Sequence, residues 1–358
     1  MRRGSMIMLL LMLLLTLAFS CKRRPLYYVE EPGVKVIVKV LWKVDVYPEG
    51  IKPSGVTMYF FKDGQFFRSE TTANVDSCAV QLEPGHYRLY MISQSPEEFD
   101  NLDFFDMSSW DKARVGVLET KSKWYSKAED EVLMGNPDLM VAGVSDEFEV
   151  TEAMVEEYQN YNYSLRMRAD TKAGEEEKIK YYTIRVPVHP RSIVSQYWVT
   201  IYSDNADVLR SVRASTTGMA RSFLLTEDRT GDDEGTQLIT EWSLTMDDPL
   251  TRVGHLDGKI TTFGFPKGDL PSPLRDPQLN VATLLVDNST VEHYVFDVGD
   301  RIVSEDPPMG YRNLYRLVLG SKENPEIHPP DVDPEGDANG FDATVEDWEI
   351  GEYVEVPM

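Results

Sequence analysis

The stretch VKVIVKVLWKVDV, residues 34–46, decides the fold class of this chain. Each even-numbered position in it is apolar, whereas the odd-numbered positions include three lysines and an aspartate. A period of two predicts a half-buried β-strand, because successive side chains of a strand point to opposite faces of a sheet. A helix would scatter these valines around its whole circumference. We therefore predict a β-strand over residues 34–46.

Hairpin and turn signals continue the β pattern along the chain. Asp63-Gly64 lies between the apolar segments 56–61 and 66–68, and this dipeptide favours a tight hairpin turn. Pro84-Gly85 separates a second pair of predicted strands. Further strands are predicted at 138–141, 147–150, 163–167, 181–186, 196–202, 208–215, 222–225, 237–246, 259–265, 279–285 and 293–296, with short helices at 126–133 and 152–158.

Short strands separated by turn residues favour β-sandwiches over alternating βαβ units. Pro187 and Pro190 bar regular strand pairing near residues 186–191 and mark a domain boundary there. We therefore predict an all-β fold with two tandem β-sandwich domains and minor helical insertions. The predicted parts are a signal peptide (1–20), a tether (21–33), an N-terminal β-sandwich (34–188), a C-terminal β-sandwich (191–322), an extended and poorly packed linker rich in Pro, Asp and Gly (323–340) and a strand-like tail (341–358).

The first 21 residues have the features of a secretory signal. Arg2 and Arg3 precede an apolar run, residues 6–19, which is shorter than the about 20 residues that span a bilayer. The run ends in Ser20-Cys21, and a small residue before a cysteine resembles a bacterial lipobox. We expect Cys21 to carry lipid and to become the mature N-terminus. An ordinary signal peptide with an accidental cysteine is the alternative.

The charge balance narrows the range of partners. The 358 residues include 36 basic and 60 acidic ones, which gives a formal net charge of −24. This charge repels nucleic acid and anionic headgroups, so neither is an expected partner. If Cys21 carries lipid, the second cysteine, Cys78, has no partner within the chain. We therefore expect a fold held by its core and not by disulfides.

The sequence carries no familiar catalytic or cofactor motif. Nucleophile-elbow, zinc-protease, phosphate-loop and dinucleotide patterns are absent, and the five histidines are isolated. We expect a protein that is not an enzyme and needs no cofactor. A weak calcium candidate has EF-hand spacing but no flanking helices, and a solvated acidic linker is the favoured interpretation of it. Its carboxylates belong to Asp331, Asp333, Glu335 and Asp342.

The tail, residues 341–358, returns to an alternating, strand-like pattern. Its apolar side chains include Phe341, Val345, Trp348, Ile350 and Val354. Two interpretations stay open. The tail could pair with an edge of its own second domain, or it could add to an edge strand of another subunit, because an open edge is a template for strand addition.

Taken together, these segments resemble fimbrillin-like lipoproteins of the Bacteroidales, in a branch of unknown function. The resemblance rests on Cys21, the valine-rich strand, the hairpin at 82–89 and the ending GFDATVEDW, residues 340–348. It implies two transthyretin-like, Greek-key sandwiches at the outer membrane, on the cell surface or in a fimbrium. It also implies that an arginine-specific protease removes the first strand of polymerising relatives, with Arg68 as a candidate cleavage point here. Anchor subunits of the family keep that strand and their lipid.

The functional expectation is a lipid-anchored surface protein with a structural or adhesive role. A fimbria-associated subunit or anchor that assembles by β-strand addition is the leading hypothesis. Its expected partners are other fimbrial subunits or surface proteins and, through the lipid, a membrane. The alternative is a glycan-binding lipoprotein of a polysaccharide-uptake system, which would stack an exposed tryptophan on a sugar.

Overall fold

The computed structural model describes residues 33–43, 46, 52–122, 124–125, 131–169, 184–268, 270, 277–334 and 341, with only the backbone described for 162–169. Within these ranges the chain is all-β apart from one α-helix, α1 (Glu152–Ala169), and short 3-10 turns. The strands are β1 (Val34–Val40), β2 (Val56–Lys62), β3 (Gln65–Thr72), β4 (Ser77–Leu82), β5 (Gly85–Ser93), β6 (Leu102–Phe105), β7 (Arg114–Val117), β8 (Leu133–Met134), β9 (Val141–Val144), β10 (Phe148–Val150), β11 (Ile184–Val188), β12 (Arg191–Ser192), β13 (Ser195–Ser203), β14 (Leu209–Ala220), β15 (Ser222–Leu224), β16 (Arg229–Thr230), β17 (Glu234–Ile239), β18 (Trp242–Asp248), β19 (Val253–Thr262), β20 (Gln278–Leu285), β21 (Val291–Asp297), β22 (Ile302–Glu305) and β23 (Leu314–Leu319).

The first sandwich packs a three-stranded sheet against a six-stranded one. The smaller sheet has the order β11-β1-β4, and the larger has the order β12-β9-β5-β2-β3 with β10 added on β5. Their facing sides form one buried cluster in which the valines of β1 meet Met58, Phe60, Tyr87 and Leu89. The period-two pattern of the sequence therefore places β1 with its valine face inward, as predicted.

The second sandwich packs two five-stranded sheets. One sheet has the order β18-β19-β13-β23-β22, and the other has the order β21-β20-β14-β17-β8. The inner faces bury Tyr197, Val199 and Ile201 of β13 among side chains of β14 and β20. The predicted fold class, an all-β chain of sandwiches, is confirmed. The transthyretin-like detail stays a prediction.

The two sandwiches share a continuous core. Tyr59 and Tyr90, on the outward face of the six-stranded sheet, stack with ring centroids 4.9 Å apart and belong to a cluster that runs through the second sandwich. The segment between β5 and β9 takes part in this junction. Its strands β6 and β7 join β15 and β16 in a four-stranded sheet, and β8 pairs in parallel with β17.

Asp228, in the turn between β15 and β16, forms ion pairs that stabilise this junction. Its carboxylate accepts hydrogen bonds from Arg312 at 2.7 Å and from Arg191 at 3.2 Å. Arg312 also donates to the backbone carbonyl of Asp228 at 2.7 Å. Because Arg191 begins β12 and Arg312 precedes β23, this ion-pair group links the shared sheet to both sandwiches.

The helix α1 corrects one strand prediction. Residues 163–167 were expected to form a strand and instead lie within α1, which begins where the short helix at 152–158 was predicted. Thr151 caps the helix by accepting a hydrogen bond from the Met154 amide at 3.2 Å. Val155 and Tyr158, three residues apart, pack on the core of the first sandwich, which is helical spacing. Most of the other predicted helix, residues 126–130, lies outside the described residues.

Four further predictions about the chain need correction. The strand predicted at 138–141 lies three residues later, as β9. The first strand ends at Val40 and not at Val46. The segment 237–246 is divided between two strands, β17 and β18. Residues 323–334, expected to be poorly packed, lie against the second sandwich, with Ile327 fully buried. Seven strands had no counterpart in the sequence-based prediction, namely β6, β7, β8, β12, β16, β22 and β23. Among the described residues, α1 is not apolar over the length that a membrane-spanning helix requires.

Candidate functional site: the first-strand slot and the C-terminal strap

The first strand occupies a closed slot in the three-stranded sheet. β1 pairs antiparallel with β4, from Val34 opposite Leu82 to Lys39 opposite Ser77. On its other side it pairs in parallel with β11, from Val36 opposite Ile184 to Val40 opposite Val188. β1 is therefore a central strand, and its removal would leave an open gap between β4 and β11.

The valines of β1 make this slot hydrophobic. Val34, Val36 and Val38 are fully buried, and Val40 is nearly so. Burying one such side chain contributes about 1.5–3 kcal/mol. For four valines this is about 6–12 kcal/mol, which is comparable with the about 5–15 kcal/mol of net stability typical of a domain.

Both ends of β1 are fixed by specific contacts. At the start, Gly33 has a φ of 136°, and a Cβ there would lie 2.3 Å from the carbonyl oxygen of Leu82. Only glycine can therefore pass this point without a shift of the backbone. At the other end, the amide of Val40 donates to Asp76 O at 3.1 Å, and the amide of Leu41 donates to Val188 O at 2.8 Å.

The chain between β1 and β3 contains no arginine. Counting from Val34, the first arginine is Arg68, in the middle of β3, where its guanidinium pairs with the Glu70 carboxylate. Cleavage after Arg68 would remove β2 together with β1. That would take away the fully buried Met58, Phe60 and Phe61 and strip the six-stranded sheet of an internal strand.

A second feature is the C-terminal strap, which we define as residues 321–334. The strap continues along the edge of β13 where β23 stops, since Ile327 forms a parallel bridge with Ser203. The amide of Glu326 donates to Tyr202 O at 2.9 Å, and the amide of Asp204 donates to Ile327 O at 3.2 Å. The sequence reasoning missed this contact, because a single buried isoleucine in a polar segment has no periodicity to detect.

Ion pairs lock the strap to the second sandwich. Arg301 donates two hydrogen bonds to the carboxylate of Glu326, at 3.0 and 3.1 Å. Arg252 donates to Asp331 at 2.8 Å while its Nε atom donates to Asp207 at 2.8 Å. The hydrogen bond and charge of Arg301 lower the pKa of Glu326 against the opposing effect of burial, and Arg252 similarly lowers the pKa of Asp331.

The remaining predicted site residues have different outcomes. Cys21 and the tail residues Val345, Trp348, Ile350 and Val354 lie outside the described residues. Phe341 is half-buried and packs against the large core. Of the calcium candidates, Glu335 and Asp342 also lie outside the described residues, Asp333 is exposed, and Asp331 is engaged by Arg252. Among the described residues no cluster of metal-ligating side chains occurs.

The described cysteine is buried, and three tryptophan side chains form hydrogen bonds within the chain. Cys78 is a free, buried thiol on β4, and burial together with the charge of Glu70 raises its pKa to about 11. The indole N–H groups of Trp42, Trp198 and Trp242 donate to Val75 O, Gln196 Oε1 and Ile239 O. In the described part of the chain, no tryptophan is among the strongly exposed apolar side chains.

These features define a class: an all-β protein of two joined sandwiches whose first strand is a central, buried element of its sheet. Residues 20–240 match the family model described as a domain of unknown function (DUF5119). The chain belongs to this family. No curated protein matches it.

The chain is also similar to solved structures of bacterial proteins. One of them, described as a "putative adhesin" from Bacteroides ovatus, superposes with a TM-score of 0.54 at 14% identity, covering 84% of this chain and 95% of that one. The fimbrial anchor protein Mfa2 of Porphyromonas gingivalis is 12% identical, with a TM-score of 0.44 over 79% of this chain and 90% of that one. The structure from Bacteroides ovatus shows a shared fold, and the resemblance to fimbrillin-like proteins is confirmed at that level.

Proposed function

We propose that this chain is a lipid-anchored, fimbria-associated subunit or anchor at the outer-membrane surface that keeps its first strand in place. The observation that carries the proposal is the position of arginine. No arginine lies between β1 and Arg68, and a cut at Arg68 would remove β2 as well. An arginine-specific protease therefore has no site at which it could release β1 alone.

The sequence before β1 supports the anchoring half of the proposal. The lipobox-like Cys21 precedes Val34 by a short tether, so the folded chain stays joined to the lipid when β1 is retained and the tether is not cut at Arg23 or Arg24. The shared fold with a protein described as an adhesin is consistent with a role at the surface.

Assembly with the next subunit would use the tail, residues 341–358. The strap holds the second sandwich up to residue 334, and Phe341 still packs on the core, so the donor segment would begin beyond that point. An alternating apolar segment can complete the sheet of a neighbour through main-chain hydrogen bonds and side-chain pockets. Deletion of residues 342–358 should abolish assembly with other fimbrial subunits and leave a folded monomer.

The retention of β1 can be tested with a matched pair of chains. Membranes that carry the wild type or Lys52→Arg are treated with an arginine-specific endopeptidase, and the chain termini are read by mass spectrometry. Lys52 lies between β1 and β2 with its side chain about half exposed, and the substitution keeps the charge that pairs with Asp76. We expect a cut after residue 52 only in Lys52→Arg. A folded wild-type chain that had lost β1 would contradict the proposal.

A further inference from the structure

The strand β3 is an open edge of the six-stranded sheet. It pairs with β2 on one side, and no described strand lies on its other side. Its eight residues, QFFRSETT, contain no proline. Natural proteins usually protect such edges with short strands, prolines or inward charges. β3 lacks the first two of these protections, whereas Arg68 and Glu70 lie on the same face of the sheet as Phe60 and Met58, and the pairing with β2 is irregular at Phe67.

The other outer edges of the described sheets are less suited to pairing. Some are too short, one contains a proline, and two carry acidic side chains with no lysine or arginine that could pair with those of a second copy. The short ones are β8, β10, β12, β16, β6 and β22, the proline is Pro187 of β11, and the acidic residues include Asp248 of β18 and Asp297 of β21. β4 is longer, but it has no charged side chain to set a register.

The charges of β3 are self-complementary about Ser69. Arg68 and Glu70 flank this residue on one face of the strand and already form an ion pair within the chain. If a second β3 runs antiparallel with Ser69 opposite Ser69, then Arg68 lies opposite Glu70 of the partner subunit and Glu70 lies opposite Arg68 of the partner subunit. The four charges would alternate in sign around the two-fold axis.

Regular pairing in this register extends over residues 68–70 of both chains, because Phe67 is skipped in the pairing of β3 with β2. Registers centred on Arg68 or Glu70 would place like charges directly opposite, which is unfavourable.

We propose that β3 is a docking edge for β3 of a second copy of this chain, in the antiparallel register centred on Ser69. The six-stranded sheet then continues across two chains. The strand is anchored for this role on its inner side, where Thr57 and Thr71 hydroxyls lie 3.0 Å apart. This edge is separate from the first-strand slot, so the proposal does not depend on the fate of β1.

A cysteine placed on the axis tests the register in the full chain in its native membrane. Directly opposed antiparallel residues have Cα atoms about 4.5–5.5 Å apart, within the about 4.4–6.8 Å of a disulfide. Ser69→Cys should therefore give a covalent dimer under mild oxidation. Gln65→Cys is the control, exposed at the start of β3. In this register its two copies lie about 27 Å apart at 3.4 Å per residue, and they should not cross-link.

A second experiment exchanges the charges beside the axis in chains that carry Ser69→Cys. Arg68→Glu or Glu70→Arg alone surrounds the axis with like charges and should reduce the dimer about tenfold or more. Co-expression of the two variants restores opposite charges between unlike chains and should restore a heterodimer. Unchanged unfolding midpoints would show that each variant is folded.

Three outcomes would overturn the proposal: equal cross-linking at positions 65 and 69, no recovery when the two charge variants are mixed, or no dimer from a folded Ser69→Cys chain. A cross-link between position 69 and a second cysteine placed in the tail, in place of the 69–69 product, would also overturn it and assign the edge to residues 341–358. Cys78 is buried, so the wild-type chain gives the background level of dimer.

Discussion

Replacing Val36 of β1 by alanine tests whether the first strand is a buried part of its sheet. Val36 is fully buried and lies between Val80 of β4 and Ile184 of β11. The substitution removes two carbon atoms at about 0.8 kcal/mol each and leaves a small cavity. We expect the first sandwich to lose about 2–3 kcal/mol of unfolding free energy.

Lys35→Ala is the matched control, since its side chain is exposed on the opposite face of the same strand. Surface changes of this kind cost within about 0.5 kcal/mol. The assay is urea unfolding of the chain that starts at Lys22, followed by tryptophan fluorescence and far-ultraviolet circular dichroism. With a slope of about 2 kcal/mol per molar urea, Val36→Ala should lower the midpoint by roughly 1 M. Equal midpoints for the two variants would refute the buried position of β1.

Other predictions concern the strap, the start of β1 and the domain junction. The pKa of Glu326 is lowered in the folded chain, so the stability that Glu326 contributes to the strap is present above the unfolded pKa near 4.5 and is lost as the pH falls through the lower folded pKa. Protease sensitivity of the strap should rise in that acid range for the wild type and rise less for Glu326→Gln, in which Asp331 is the remaining strap carboxylate with a lowered pKa. Gly33→Ala should destabilise the first sandwich by more than about 1 kcal/mol, because the new Cβ would meet Leu82 O, and thermal unfolding would detect it. Asp228→Ala removes the ion-pair group at the junction and should cost about 1 kcal/mol, visible as an earlier unfolding transition, whereas an unchanged transition would show that the pairs are not needed.

Local patterns were sufficient to predict most individual strands. The alternation at residues 34–40, the Asp63-Gly64 turn and the restart of alternation near residue 196 all correspond to observed strands or turns. The error at residues 163–167 has a local cause. Tyr163 and neighbouring polar residues imitate a period of two, but the helix that starts after Thr151 continues through them. Tertiary packing of Val155 and Tyr158 then decides in favour of the helix.

Pairing between distant segments could not be predicted from the same patterns. Nothing in the local sequence shows that β1 pairs in parallel with β11, or that β13 pairs in parallel with β23. The apolar run of β23 was a detectable strand signal that the prediction did not use. Ile327 gave no such signal, because its burial depends on a bridge to Ser203, more than a hundred residues away in sequence.

The candidate site was only partly visible in the sequence. Burial of the β1 valines follows from their alternation, and the absence of arginine up to Arg68 can be read directly. The consequence of a cut at Arg68 required the structure. Only the sheet order shows that β2 lies between β3 and β5, so that its loss with β1 would open the six-stranded sheet. The self-complementary charges of β3 likewise indicate a docking edge only because the structure places β3 at the edge of its sheet.

The most direct test of the account is mass spectrometry of the protein extracted from membranes, with both the N-terminal peptide and the intact mass recorded. The account predicts a lipidated Cys21 on a chain that still contains residues 34–40. An unlipidated N-terminus at or before Pro25 would contradict the anchoring half of the proposal. An N-terminus beyond Val40 on a folded chain would contradict the central claim that this subunit keeps its first strand.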